Sequence, residues 1–363
     1  MRVLIVFIIY TINLYLNYIY IILLYLYILY TIKYIILFPR RFKMKQTQTY
    51  AIAITLLIFT SISAYARPLV DTTWLKNNLQ NDNLVMIDLR NKIDGGSFKT
   101  FQLGHIPGSI HSDYLKDGWR TKKKGVVGLL PTEEEFENLA EKLGVSNNSH
   151  VVLIPAGENS TDFGSSARAY WTFKVFGHSN VSILDGGYKL WLQKYPSLID
   201  RGKITKNIKG NFKAKFNPSL YASTTDVAKV SGTESDIVLL DGRNKEQFIG
   251  EKKHKNAKRF GHIPGAQLIS QAKTYNTASN QLKSKTELKD LFSEITNKPV
   301  ISYCNTGHWA ATNWFALSEV LGNKNVKLYD GSMVEWTTDA RRKVDRHQSN
   351  LNKIKSFFSD IFG

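Results

Sequence analysis

Short apolar runs alternate with stretches of helical spacing through most of the chain. IVLL (237–240) and PVISYC (299–304) have the unbroken apolar character of buried strands. Between them, TELKDLFSEI (286–295) sets its apolar residues at helical spacing. Beyond Cys304, WAATNWFALSEVLG (309–322) predicts a helix closed by Gly322, and VKLY (326–329) predicts the next strand. Strands separated by helices predict a parallel sheet with helices on both faces, so the fold class is α/β.

The pattern is written twice. LVMIDLRN (84–91) returns as IVLLDGRN (237–244), and GHIPGS (104–109) returns as GHIPGA (261–266). ILDGGYKLW (183–191) returns as LYDGSMVEW (328–336), preceded by GHSN (177–180) and GNKN (322–325) respectively. Solenoid repeats run to about 20–50 residues, and the spacing here is roughly 150, so a whole domain is duplicated. The predicted domains are 67–200 and 224–345, joined by a linker at 201–223 and followed by a tail at 346–363. The linker RGKITKNIKGNFKAKFNPSLYAS is Lys-rich, lacks sustained periodicity and carries Pro218, as a strap between domains would. Trp191 and Trp336 read as core aromatics.

The first 66 residues concern address. Residues 1–43 begin with an apolar, low-complexity extension (IVFIIYTINLYLNYIYIILLYLYILY), long enough for a transmembrane helix if it is translated. The alternative is read-through upstream of a start at Met44. From Met44 to Ala66 the chain has a polar start with Lys45, an apolar run from Ala51 to Ile62, and Ala64-Tyr65-Ala66 before Arg67. These are the parts of a secretory signal peptide. The expected location is periplasmic or secreted; if the extension is retained, the chain is membrane-anchored with its globular part outside the cytoplasm.

Composition narrows the function. Of the 363 residues, 43% are hydrophobic and 12% aromatic, which excludes a mostly disordered chain. The formal charge is +18, but Arg2, Lys33, Arg40, Arg41, Lys43 and Lys45 precede residue 67 with no acid among them. Lysines in the remainder (122–124, 203–215, 252–258) lack the aromatic interleaving that stacks bases. They read as a solvated surface that attracts small anions, and no nucleic-acid partner is expected. A single cysteine, Cys304, excludes an intramolecular disulfide and a multi-cysteine zinc site.

Cys304 opens the loop Cys304-Asn305-Thr306-Gly307-His308-Trp309, between a predicted strand and a predicted helix. Ligands of parallel α/β sheets bind beyond the carboxyl ends of the strands. A helix N-terminus presents unpaired N–H groups that stabilise a thiolate, and Gly307 lets the loop curl into an anion nest. A nucleophilic sulfur in an anion cradle is the chemistry this favours; a buried, inert thiol is the plain alternative.

LLDGR, GHIPGA, a single cysteine loop and YDGSMVEW together resemble the tandem-domain rhodaneses, which are sulfurtransferases. The resemblance covers 67–345. It implies two rhodanese-like folds with the nucleophile only in the second. The first half has VVLIPAG (151–157) where the second ends in Cys304, with Pro155 or a neighbour in the cysteine's place, so it reads as catalytically silent. The implied chemistry takes sulfane sulfur from thiosulfate or 3-mercaptopyruvate onto Cys304 as a persulfide, and passes it to cyanide or a thiol. No cofactor or metal is implied.

The resemblance also assigns supporting roles. Arg243 matches an arginine that approaches the substrate anion, with ion-pair bracing of the loop as its alternative. Asp241 reads as a cap on the turn after its strand. His105 and His262 lie in turns that define the fold, yet in mercaptopyruvate-type relatives a loop hydroxyl couples to a histidine and an aspartate of the first domain. The matching positions are Thr306, His105 and Asp88. The loop departs from both family patterns, Cys-Arg-Lys-Gly-Val-Thr and Cys-Gly-Ser/Thr-Gly-Val-Thr, by adding His308 and Trp309. His308 is either a titrating cation beside the sulfur or a solvent-facing side chain. Thiosulfate is the expected donor.

Rival readings lack parts. Phosphatases of this fold carry an arginine six positions past the cysteine, where this chain has Ala310 and no arginine before Arg341. A cysteine hydrolase lacks an orienting acid, and Cys304 with His308 is too small a set for a metal. A non-enzymatic persulfide carrier for a dedicated partner uses the same loop and stays open at this level.

Overall fold

The computed structural model describes residues 67–202 and 209–346. The expected apolar extension, the signal peptide, linker residues 203–208 and the tail beyond Arg346 lie outside the described residues. Among the described residues no helix is long and apolar enough to cross a membrane.

The first domain runs β1 (Leu69–Val70), α1 (Thr72–Asn78), β2 (Leu84–Asp88), α2 (Phe98–Leu103), β3 (Ile110–His111), β4 (Thr121–Lys123), β5 (Val126–Leu129), α3 (Glu133–Lys142), β6 (His150–Ile154), α4 (Ser160–Val175), β7 (Val181–Leu184) and α5 (Gly187–Lys194). The second runs α6 (Thr224–Val230), β8 (Val238–Asp241), α7 (Lys245–Phe248), β9 (Gln267–Leu268), β10 (Tyr275–Asn276), β11 (Gln281–Leu282), α8 (Lys285–Leu291), β12 (Val300–Tyr303), α9 (His308–Phe315), β13 (Val326–Leu328) and α10 (Ser332–Trp336). Each domain has a parallel sheet, in the orders β1-β7-β6-β2-β3 and β13-β12-β8-β9. Tyr221 adds one parallel bridge to Leu328, outside β13, where the first domain has β1 beside β7.

The predicted strands and helices are present with shifted ends. β12 closes at Tyr303, which leaves Cys304 as the first residue of the loop. The helix predicted at 309–322 begins at His308 and widens into a π-helical turn over Ala316–Val320 before Gly322. Residues 210–217 of the linker are tied to the first domain rather than strung across a gap, and Tyr221 and Ala222 join the second. Phe212 is fully buried, Gly210 N–H bonds to Glu141 O, and Asn217 N–H bonds to Val175 O.

The two domains share one core. α4 is buried on nearly every side, so it has no polar face to mark it in the sequence. It packs along α9, with Phe163 and Tyr170 against the Phe315 ring at 5.8 and 4.9 Å. Each domain also extends a hairpin over the other. Leu130, after the β4–β5 hairpin, donates its N–H to Asp330 Oδ2 at 2.6 Å, while Leu282 of β11 donates to Asp185 Oδ1 at 3.0 Å. Asp185 and Asp330 hold equivalent places in the duplicated ILDGG and LYDGS motifs. The duplication therefore organises the contact between the domains as well as each domain.

Candidate active site

Strand register identifies what replaces the cysteine in the first half. Tyr303 pairs with Asp241, and Ile154 pairs with Asp88. Asp88 and Asp241 are equivalent in the repeat, so Pro155 stands where the second half has Cys304. The backbone beyond repeats as well. Met333 and Val334 donate N–H groups to Cys304 O and Asn305 O at 3.2 and 3.0 Å, as Tyr188 and Lys189 do to Pro155 O and Ala156 O, both at 2.9 Å.

The loop that Cys304 opens is shaped by two left-handed positions. Gly307, at φ +70°, caps α9, and a side chain there would collide with Arg168 and the Asp330 backbone. Ser332, at φ +49°, occupies the place of Gly187, at φ +59°. Its Oγ accepts the N–H groups of Cys304 at 3.0 Å and Gly307 at 3.1 Å, and donates to Tyr329 O at 2.8 Å. Two N–H groups expected in the anion nest are thus held by Ser332. Those of Asn305 and Thr306 have no acceptor among the described residues. Cys304 itself is 1% exposed.

The first half keeps a nest and fills it. Asp162 accepts the N–H groups of Ala156, Gly157 and Glu158 at 3.0, 2.6 and 3.0 Å. Burial raises its pKa to about 6 against those three bonds. A carboxylate built into the chain takes the place that a reactive anion would need.

His308 corrects both sequence expectations. It is neither a cation nor solvent-facing but buried between the domains. Nε2 lies 2.8 Å from Thr161 O and Nδ1 lies 2.9 Å from the Tyr114 hydroxyl. A carbonyl only accepts, so Nε2 carries the proton and Nδ1 accepts from Tyr114. Burial, with Arg120 nearby, lowers the His308 pKa to about 3, and the ring is neutral.

Arg243 is a brace and does not lie open to substrate, which corrects its assignment to the substrate anion. Its Nε and Nη2 bond to Asp241 at 2.9 and 2.6 Å, and Nη2 also reaches Gly261 O at 2.9 Å. Arg90 repeats this with Asp88 and Gly104 O in the half that has no cysteine. Asp241 is correspondingly the partner of Arg243. The arrangement is architecture: it ties the strand-end Asp-x-Arg to the glycine that opens each GHIPG turn.

The relay implied for Thr306, His105 and Asp88 is not assembled. The His105 ring stacks on Phe101 at 3.9 Å and bonds through Nδ1 to Phe101 O at 2.9 Å. His262 stacks on Phe248 and bonds to Phe248 O in the same way. Asp88 is held by Arg90, and Thr306 stands against Gly128 of the β4–β5 hairpin, with its carbonyl 3.4 Å from Arg168 Nη1. Asn305 donates to Gln247 Oε1 at 3.0 Å. Trp309 packs against the shared core.

Tyr114, Arg120, Arg168, Gln247 and Ser332 were missed at the sequence level. Arg168 is fully buried, donates to Gly128 O at 3.0 Å and lies 3.7 Å from Asp330. Arg120 lies over the Tyr114 ring at 4.6 Å. Ser332 was visible as the serine that replaces a glycine between the repeats. The first-domain residues left no such signal. Among the described residues no group of three or more His, Cys, Asp or Glu could hold a metal ion.

Comparison with known proteins agrees with this layout. A family model for the rhodanese-like domain matches residues 71–194 and 223–339. A sulfur carrier protein, TtuD of Thermus thermophilus, is 32% identical over 286 residues, covering 75% of this chain and 95% of that protein. The mitochondrial thiosulfate/3-mercaptopyruvate sulfurtransferase 1 of Arabidopsis thaliana is 29% identical over 324 residues, covering 80% of this chain and 81% of that protein. The crystal structure of SseA from Escherichia coli, a 3-mercaptopyruvate sulfotransferase, superposes with a TM-score of 0.64 at 30% identity, over 74% of this chain and 99% of that one.

Proposed function

Since this chain belongs to the rhodanese family and is a sulfurtransferase, we propose that it moves sulfane sulfur from thiosulfate to a thiophilic acceptor through a persulfide on Cys304. The observation that carries this is the loop after β12. It joins the chain's one cysteine to two unclaimed N–H groups, while the equivalent loop of the first half offers Pro155 and a nest filled by Asp162. In the first step the Cys304 thiolate attacks the outer sulfur of thiosulfate. A Cys–S bond forms, the S–S bond to the sulfonate breaks, and its electron pair leaves with sulfite. In the second step cyanide attacks the terminal persulfide sulfur, and the Cys304 thiolate leaves as thiocyanate forms. Two half-reactions give ping-pong kinetics.

Thiosulfate is favoured over 3-mercaptopyruvate by proton chemistry. Sulfite departs as a stable anion and needs no acid. Removing sulfur from mercaptopyruvate leaves a carbon that must be protonated. Both His308 nitrogens are engaged, and His105 is held on Phe101 away from any loop hydroxyl partner.

Protein starting at Arg67, with Cys304→Ser as control, should form thiocyanate from thiosulfate and cyanide over many turnovers, and the control none. A single loading of Cys304 without turnover would favour the carrier reading; absence of any persulfide would overturn the assignment. We further propose that the domains are exported behind the 44–66 signal. Intact mass of the exported chain should give an N-terminus at Arg67, and one at Met1 would refute it.

A further inference from the structure

We propose that Arg120 is the residue that receives the anionic end of the sulfur donor. The inference rests on the sulfur-transfer reading above and assigns its anion subsite to the first domain. Of three arginines around the loop, Arg243 is committed to Asp241 and Gly261 O, and Arg168 to Gly128 O, Thr306 O and Asp330. Arg120 is different. Its Nε–H is buried with no acceptor, as is that of Arg168, but among the described residues no hydrogen bond and no carboxylate holds the rest of its guanidinium. Buried donors are almost always bonded, so this one is a donor held ready for an absent acceptor.

Its position is fixed from both sides. Trp119, fully buried, bonds through Nε1 to Ser112 Oγ at 2.9 Å and anchors the chain beside it. The guanidinium lies over the Tyr114 ring, and the Tyr114 hydroxyl bonds to His308 of the catalytic loop. Stacking holds the plane of an arginine while leaving its N–H donors in that plane free. Arg120 is therefore two contacts from the loop that carries Cys304.

The surroundings suit an anion. Residues 118–132, which contain the β4–β5 hairpin, include Arg120 and Lys122 to Lys124 and no acid. Residues 252–265 pack against that hairpin through Ala257 and Val126, and contain four lysines, Arg259 and no acid. Two basic runs far apart in sequence meet here, where their field raises the local concentration of anions. In the loading step charge builds on the departing sulfite. A planar guanidinium meets two of its oxygens in a bidentate pair. Arg120 thus gives the cysteine-free domain a direct contact with the substrate.

The test uses two alkylating agents of nearly the same size, neutral iodoacetamide and anionic iodoacetate, on Cys304. Arg120→Gln should lower the iodoacetate-to-iodoacetamide rate ratio by about ten- to a hundredfold, the range expected for one charged hydrogen-bonding partner. Arg120→Lys should recover part of that loss. The iodoacetamide rate alone should not change. Persulfide loading from thiosulfate, read by intact mass, should slow in parallel with the ratio. An unchanged ratio overturns the inference, and so does a collapse of the iodoacetamide rate, which would make Arg120 a support of the loop. Wild-type protein that never loads sulfur while the ratio still depends on Arg120 would overturn the sulfur-transfer reading and keep the anion site.

Discussion

Arg168 of the first domain lies 3.7 Å from Asp330 of the second, and both side chains are sealed from solvent. Burial pushes Arg168 down and Asp330 up from their ordinary pKa values, each toward its neutral form. Such a pair adds little net stability while both members are present, yet removing one strands the other. The same two residues border Gly307 and hold Thr306 O and Leu130 N–H. The pair therefore sets the loop's position against the other domain.

Asp330→Asn should therefore cost about 3 kcal/mol or more in urea unfolding, because it leaves the Arg168 charge uncompensated. Arg168→Met should cost a similar amount for the converse reason. The double variant should be more stable than the sum of the two losses predicts. Additive losses would show that the two side chains do not act on each other.

Ser332 gives an ordering of variants. A left-handed backbone costs a residue with a Cβ about 1–2 kcal/mol, and glycine avoids that cost. Loss of the hydroxyl leaves the Cys304 and Gly307 N–H groups without their acceptor, at about 1–3 kcal/mol. Wild type should be most stable, Ser332→Gly next and Ser332→Ala least. Both variants should load sulfur more slowly, because the loop loses the bond that sets its curl. A Ser332→Gly protein as stable as wild type would show that the hydroxyl bonds only offset the strain that glycine relieves, and a Ser332→Ala protein as stable as wild type would show that they contribute nothing.

The two domains and the strand end that carries Cys304 were legible because they rest on local patterns. β6 and β12 are largely apolar runs, the repeat makes Asp88 and Asp241 equivalent, and Cys304 follows its strand directly. What was misread depends on the partner a side chain finds. Arg243 was expected at the substrate because the resemblance to the family matched it to a substrate arginine, with bracing as the alternative, and nearby Asp241 claims it. The same Asp-x-Arg in the cysteine-free half already carried that information. His308 could not be placed from sequence, since its partners Tyr114 and Thr161 are 194 and 147 residues away.

The assignment of Arg243 as a brace is itself testable. Arg243→Gln leaves Asp241 buried without its cation and Gly261 O without its donor, and Arg90→Gln does the same to Asp88 and Gly104 O. Each should cost about 3–5 kcal/mol, the loss expected when a buried pair is broken. The two losses should be similar. If Arg243→Gln instead leaves stability intact and raises the KM for thiosulfate, Arg243 binds substrate and the brace reading is wrong.

The neutral His308 ring makes stability depend on pH in a direction that can be worked out. In the unfolded chain its pKa is near the free value of about 6.5, and in the folded protein it is about 3. Between those values the unfolded state binds more protons, so its free energy falls as the solution is acidified and the protein loses stability. The loss begins as pH drops below about 6.5 and grows by about 1.4 kcal/mol per pH unit toward the folded pKa. Asparagine at 308 does not titrate and retains one donor and one acceptor. The difference in unfolding free energy between wild type and His308→Asn should shift against the wild type as pH is lowered from 7 to 4. Comparing the two proteins cancels the other buried groups, including Asp94, Asp162 and His178, which titrate in both. Parallel stability curves over that range would mean that His308 takes up its proton in the folded state, and the buried, neutral clasp between Tyr114 and Thr161 would have to be abandoned.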